Sequence, residues 1–229
     1  MPLATFKDLC LDVNDQTVEI EFWGRVLGLD VVPDDSGGGF HLAGPTPGHT
    51  VWPCVVPEPK SVKNRVHLDV HAAEAVVPGA ALLSGVEEFG WTVLADPEGH
   101  EFCTFVRAQV PSYRLYELVV DCADHRRVGA WWGEVLGGRV DHDLEHGFTW
   151  VDQVPGMPFE GIVFTPVPEP KTVKNRVHWD VRLRPGVSVD DLVLGGATVL
   201  REPDDATRWW VLADPEGNEF CAFPGETAR

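Results

Sequence analysis

The segment KSVKNRVHLDV at residues 60–70 returns as KTVKNRVHWDV at 171–181, with nine of eleven positions identical. Downstream, VLADPEGHEFC at 93–103 returns as VLADPEGNEFC at 211–221, with ten of eleven identical. Upstream, FWGRVLG at 22–28 answers WWGEVLG at 131–137. The offset is 109 residues near the start and 118 near the end, so the chain is one unit written twice. The joint falls near Gln109-Val110-Pro111-Ser112, which predicts domains over 1–110 and 113–229.

The 229 residues carry 36 acidic and 18 basic side chains, for a net charge of −18. Residues 1–110 hold 6 basic and 16 acidic groups, so the acidity is not confined to one half. That charge argues against nucleic acid as a partner, because phosphate binding needs clustered Lys and Arg, and against docking on an anionic membrane. Five cysteines at 10, 54, 103, 122 and 221 form no CxxC pair and no disulfide framework. With no signal-peptide pattern or apolar run of spanning length, the expectation is a soluble, reduced, cytoplasmic protein.

Local patterning repeats with the copies. Residues 8–13 and 65–70 alternate polar and apolar side chains, the mark of half-buried strands. Val18, Phe22, Val26 and Leu29 fall at helical spacing, with Gly28 placed to end the helix, and Val128, Trp131, Trp132 and Val135 repeat that face. ADPEG at 95–99 and 213–217 carries the Asp, Pro and Gly of a hairpin turn. The coarse expectation is strand, helix and three strands, four times along the chain, with Gly37-Gly38-Gly39 as a flexible loop over the first cup.

The helix ending FWGRVLGL, the strand NRVHLDV and the hairpin DPEGHEF, each with its second-copy counterpart, resemble the vicinal oxygen chelate superfamily. Its members include glyoxalase I, bleomycin-resistance proteins and extradiol dioxygenases; the nearer likeness is to actinobacterial glyoxalase-like domains. The resemblance implies an α+β fold: tandem glyoxalase-like domains, whose four βαβββ modules form cupped mixed sheets with helices outside. Such folds host isomerases, lyases, dioxygenases and binders without catalysis, so the fold alone does not choose among them.

A strand period of two puts Arg65, His67, Asp69 and His71 on one face, predicted to line a cup. The same logic turns Asp8, Cys10 and Asp12 inward, and Glu101, Cys103 and Phe105. The resemblance implies four metal-ligand positions, which in the first copy are Asp8, Cys54, His67 and Cys103. In the second they become Glu117, Thr165, His178 and Cys221. The usual closing Glu is Cys in both copies, and the usual first His is a carboxylate. Asp, Cys, His and Cys are all zinc ligands, but a buried Cys also packs as a small hydrophobe.

His67 and His178 are candidate acid–base catalysts beside Asp69 and Asp180, or else buried hydrogen-bonded pairs. Arg65 and Arg176 fix an anionic ligand group or neutralise those same aspartates. Glu101 and Glu219 are candidate ligand-binding carboxylates, or edge-strand charges that oppose aggregation. The DPEG turns read as structural. Trp52, Trp91, Trp150, Trp209 and Trp210 lie on strands where some could stack on a flat ligand, while Trp179 faces the helix. His41, His49, His142 and His146 read as loop residues on the surface.

The expectation is a small-molecule binding protein of the glyoxalase or bleomycin-resistance type. It holds an organic, partly aromatic ligand without an obligatory metal, as a monomer or homodimer. The alternative is a divalent-metal lyase, isomerase or dioxygenase using Asp8, Cys54, His67 and Cys103, with zinc or a similar ion. A third reading makes one copy a degenerate partner of the other.

Overall fold

A computed structural model describes residues 1–34 and 39–225, so Gly37 and Gly38 of the expected loop lie outside the described residues. Four modules follow one another. The first holds β1 (Ala4–Val13), α1 (Gln16–Leu27), β2 (Asp30–Pro33), β3 (Phe40–Ala43) and β4 (Val51–Val55). The second holds β5 (Val66–Ala72), β6 (Ala81–Ser84), α2 (Val86–Phe89), β7 (Thr92–Ala95) and β8 (Glu101–Val106). The third holds β9 (Leu115–Cys122), α3 (His125–Leu136), β10 (Arg139–Asp143), β11 (Phe148–Asp152) and β12 (Gly161–Pro166). The fourth holds β13 (Val177–Leu183), α4 (Val189–Leu194), β14 (Thr198–Arg201), β15 (Trp210–Ala213) and β16 (Glu219–Phe223).

The second module departs from the expected pattern. Residues 73–80, which contain Pro78 and Gly79, link β5 to β6 without a helix, and the single turn α2 comes one strand later. Eight residues that end in Pro-Gly-Ala cannot hold a helix long enough to cover the sheet.

The strands form two eight-stranded mixed sheets, ordered β14-β15-β16-β13-β1-β4-β3-β2 and β10-β11-β12-β9-β5-β8-β7-β6. Each sheet joins a module of one copy to a module of the other. At its centre an antiparallel pair, β1 with β13 or β5 with β9, is flanked by parallel neighbours. The first and fourth modules therefore build one cup, and the second and third build the other.

The apolar strand face carries the core. Leu9, Leu11 and Val13 of β1, with Leu68 and Val70 of β5, are buried with the helix residues Phe22, Trp23, Trp131 and Trp132. Trp179 packs at 4.6 Å on Trp132, on the helix side as its alternation predicts. Asp15 caps α1 by accepting from the Thr17 and Val18 N–H groups, and Gly28 ends it at φ 72°, in the left-handed region. Val18, placed on the helix's inner stripe by spacing, is 43 % exposed, and Glu19 is buried in its stead.

The DPEG turns hold each copy together across the two sheets. Glu98 accepts the N–H groups of Asn14 and Asp15 at 2.8 and 2.6 Å, at the start of α1. Glu216 accepts those of Ala123 and Asp124 at 2.9 and 3.0 Å, at the start of α3. A carboxylate there satisfies free donors and complements the helix dipole. Asp96 and Asp214 accept the indole N–H groups of Trp23 and Trp132 at 3.1 and 3.0 Å. The structural reading of these turns stands, with a definite task.

Candidate functional site

Cross-copy pairing decides which residues meet. Asp8 and Cys54 lie on the first sheet, with His178 and Cys221; His67 and Cys103 lie on the second, with Glu117 and Thr165. The set Asp8, Cys54, His67 and Cys103 is thus divided between two cups and cannot hold one ion. It followed the order of the sequence, whereas β1 pairs with β13 and β5 pairs with β9.

The arginines of the repeated basic segments bond away from the cups, whereas Lys63 and Glu101 also line the second one. Arg65 donates to the carbonyls of Glu169 at 2.8 Å and Asp121 at 2.9 Å, and Arg176 donates to the carbonyl of Glu58 at 2.7 Å. Neither pairs with Asp69 or Asp180. Glu101 accepts from Lys60 Nζ at 2.9 Å and the Asn64 N–H at 3.0 Å; Glu219 accepts from Lys171 Nζ at 2.6 Å and the Asn175 N–H at 3.1 Å. These bonds outweigh burial and hold Glu101 below the usual carboxylate range. Because β8 lies between β7 and β5, and β16 between β15 and β13, neither glutamate guards an edge. The four residues fasten the crossings between modules.

The first cup is densely furnished. Trp52 stacks on His41 at 4.5 Å and donates its indole N–H to Asp8 Oδ2 at 3.0 Å. His41 is therefore a half-buried residue of β3 rather than a surface loop residue. Asp8 and Asp180 are cross-strand partners, and Lys7 sits with both: its Nζ pairs with Asp8 and lies 3.8 Å from Asp180. The same ammonium lies 4.2 Å from the centre of the Phe223 ring, on whose plane Trp209 stacks at 5.0 Å. His178 Nε2 is 3.6 Å from Cys221 Sγ and 3.7 Å from Asp180 Oδ1. Burial holds the His178 imidazolium down, to a pKa of about 4, so this histidine is neutral at pH 7. Burial and then Asp8 push Asp180 up to about 8.

The second cup contains a cavity of about 760 Å³. Its aromatic wall is a stacked and edge-on run of Trp91, Phe105 and Tyr116 and a tilted pair of Phe148 and Trp150, at centroid distances between 5.3 and 5.8 Å. Its polar floor holds His67, Asp69, Cys103, Glu117 and Thr165. His67 Nε2 is 3.4 Å from Asp69 Oδ1, and that oxygen accepts no hydrogen bond. Burial, then Asp69 and Glu160, push Glu117 up to about 7. Burial and then Asp69 raise the Cys103 thiol, which stays protonated at neutral pH. Trp91 and Trp150 line the cavity as the strand reading allowed. Tyr116 escaped that reading because it sits at a β-bulge, out of phase with the alternation.

Cys10, His178 and Asp180 each offer a ligand atom within 4.8 Å of the others, and so do His67, Asp69 and Cys103. Thiolate, imidazole and carboxylate suit a borderline ion such as Zn²⁺, which would have to displace the thiol proton. Both cups could hold such an ion, through a residue set that differs from the one expected.

Residues 8–105 and 117–223 each match the family described as "Glyoxalase-like domain". The chain belongs to the glyoxalase-like family. Among solved structures, glyoxalase I from Zea mays shares 13 % identity over 96 % of this chain and 92 % of its own, with a TM-score of 0.67. A putative dioxygenase from Bacillus subtilis shares 13 % identity over 99 % of this chain and 87 % of its own, with a TM-score of 0.62. At such identities these likenesses concern the fold: tandem glyoxalase-like domains, α+β, in cupped mixed sheets. No curated protein matches the sequence. No helix among the described residues is long and apolar enough to cross a membrane.

Proposed function

We propose that this glyoxalase-like protein binds a flat organic molecule in the cup between its second and third modules, without an obligatory metal. The observation that carries this reading is the cavity of about 760 Å³ walled by aromatic rings, with Asp69 and Glu117 at its base. That volume suits a small organic ligand, and sites of this kind combine apolar walls with a few placed polar groups. The first cup, where Trp52, Lys7 and Phe223 already engage its carboxylates and one another, is its more self-contained twin. A cytoplasmic location and a monomeric or homodimeric state belong to the same proposal. The test is a thermal-shift screen of flat aromatic compounds on the wild type and Trp150→Ala. Hits whose stabilisation vanishes in the variant support the reading; a screen with no hit, or hits indifferent to the variant, refutes it.

A second reading, a metal-dependent enzyme, is favoured by the convergence of His67, Asp69 and Cys103 within 4.8 Å. A bound divalent ion would polarise a substrate oxygen. Glu117, raised to about 7 by burial and its acidic neighbours, would hold or take a proton beside it. Elemental analysis of protein purified without a histidine tag decides between the readings. About one equivalent of metal, lost in Cys103→Ala, supports the enzyme; none supports the binder.

A further inference from the structure

The two cups are related by the duplication, and one supplies a template for the other. In the first, Asp8 of β1 faces Asp180 of β13 across the central antiparallel pair. In the second, Glu117 of β9 faces Asp69 of β5 in the same register. Like charges directly opposite on a buried face are unfavourable unless a cation lies between them. Both central pairs are interrupted by a bulge at the same place, one occupied by Lys7 and the other by Tyr116.

Lys7 resolves the problem in the first cup, where its ammonium touches both aspartates and lies on the Phe223 ring. The second cup repeats the ring pair, with Val163 in the place of Trp52. Phe105 stands for Phe223, and Trp91 stacks on it at 5.8 Å as Trp209 stacks on Phe223. The Lys7 ammonium and the Trp52 indole donor have no counterpart there, because Tyr116 and Val163 stand in their places. Asp69 is 6 % exposed and its Oδ1 accepts no hydrogen bond, and among the described residues the Glu117 carboxylate makes neither a hydrogen bond nor an ion pair. Of the basic groups nearby, Lys63 pairs with Asp121, His67 Nε2 lies 3.4 Å from Asp69 Oδ1, and Arg107, over the Phe105 and Tyr116 rings at 5.6 and 5.4 Å, acts on Glu117 from outside ion-pair distance.

We propose that the second cup takes an organic ammonium, seated between Asp69 and Glu117 against Phe105, in the place that Lys7 fills in the first cup. This rests on the second cup being the ligand site and names the class of ligand: a flat ring that carries a protonated amine. Aromatic faces and paired carboxylates are the two features that attract such a group.

The experiment is calorimetric titration in the presence of a chelator with tryptamine and with 3-ethylindole, which keeps the ring and lacks the charge. Tryptamine is expected to bind at least about tenfold more tightly to the wild type. Glu117→Gln should erase that preference, and Tyr116→Lys should weaken tryptamine by about tenfold while raising the melting temperature, since it supplies the cation from within. The melting temperature of Glu117→Gln, expected to be no lower than the wild type's, shows that the variant is folded. Equal binding of the two compounds overturns the ammonium and leaves the aromatic pocket standing. Binding of neither overturns both. A preference that survives Glu117→Gln places the amine elsewhere and overturns the assignment. So does chelator-free stabilisation by Zn²⁺ that exceeds tryptamine's and is lost in Glu117→Gln, because the carboxylates would then serve a metal.

Discussion

Glu19→Val gives the first copy the residue that the second carries at the same place, Val128. Glu19 is fully buried; its Oε1 accepts the Glu98 N–H at 3.2 Å, and its Oε2 has no donor. Burial first, and the neighbouring Asp96 second, push its pKa from 4.5 up to about 9. The sign follows from linkage: a carboxyl raised in the folded state costs nothing well below pH 4.5. Its cost then grows with pH until the folded form also ionises. At ~1.4 kcal/mol per unit, the cost between pH 5 and pH 8 comes to about 4 kcal/mol, or about half that if Asp96 shares the proton. Valine removes this cost, and the Glu98 N–H keeps its bond to Asp96 Oδ1 at 3.0 Å. Urea denaturation of both proteins at the two pH values measures it. The stability difference, variant minus wild type, should grow by about 2–4 kcal/mol from pH 5 to pH 8, and Asp180 and Glu117 cancel because both proteins contain them. A difference that stays constant within about 0.5 kcal/mol would refute the reasoning, since Glu19 would then ionise at no cost in the folded protein.

Other expectations follow from the same geometry. Gly28→Ala puts a Cβ 2.1 Å from the Ser112 carbonyl at φ +72°, whereas Gly90→Ala meets nothing within 4 Å at φ +84°. Thermal unfolding should show the first to cost more than about 2 kcal/mol and the second about 1. Trp132→Phe leaves Asp214 without its indole donor at 3.0 Å and should cost about 2–4 kcal/mol in chemical denaturation. If the second cup alone accepts zinc, the melting shift on adding Zn²⁺ should vanish in both His67→Ala and Cys103→Ser, and persist in Cys10→Ser on the other sheet.

Much of the architecture is legible in the residues. Strand alternation, the Gly28 cap and the ADPEG turns are set by interactions within a few residues, so a single sequence displays them. The duplication gives the module count. Module pairing is another matter. Whether β1 joins β5 or β13 depends on contacts between distant parts of the chain, and both copies carry near-identical strands. The candidate metal set was consequently assembled within one copy and is split by the fold. Lys7 and Tyr116 were hidden for a second reason: a bulge moves them out of the period-two register, and bulges appear only when strands are paired. Alternation places Arg65 and Glu101 at the cup; Glu101 does line it, but the crossings between modules claim the donors and acceptors of both.

The account's central claim is that the second cup, and not the first, receives the ligand. Val163 lines the second cup at the position that Trp52 holds in the first, so Val163→Trp fills the cavity with a residue its twin already accommodates. The decisive measurement is the affinity of one stabilising aromatic compound for the wild type, Val163→Trp and Trp52→Ala. The account predicts that binding falls at least about tenfold in Val163→Trp and is unchanged in Trp52→Ala. Binding that survives Val163→Trp and is lost in Trp52→Ala would contradict it.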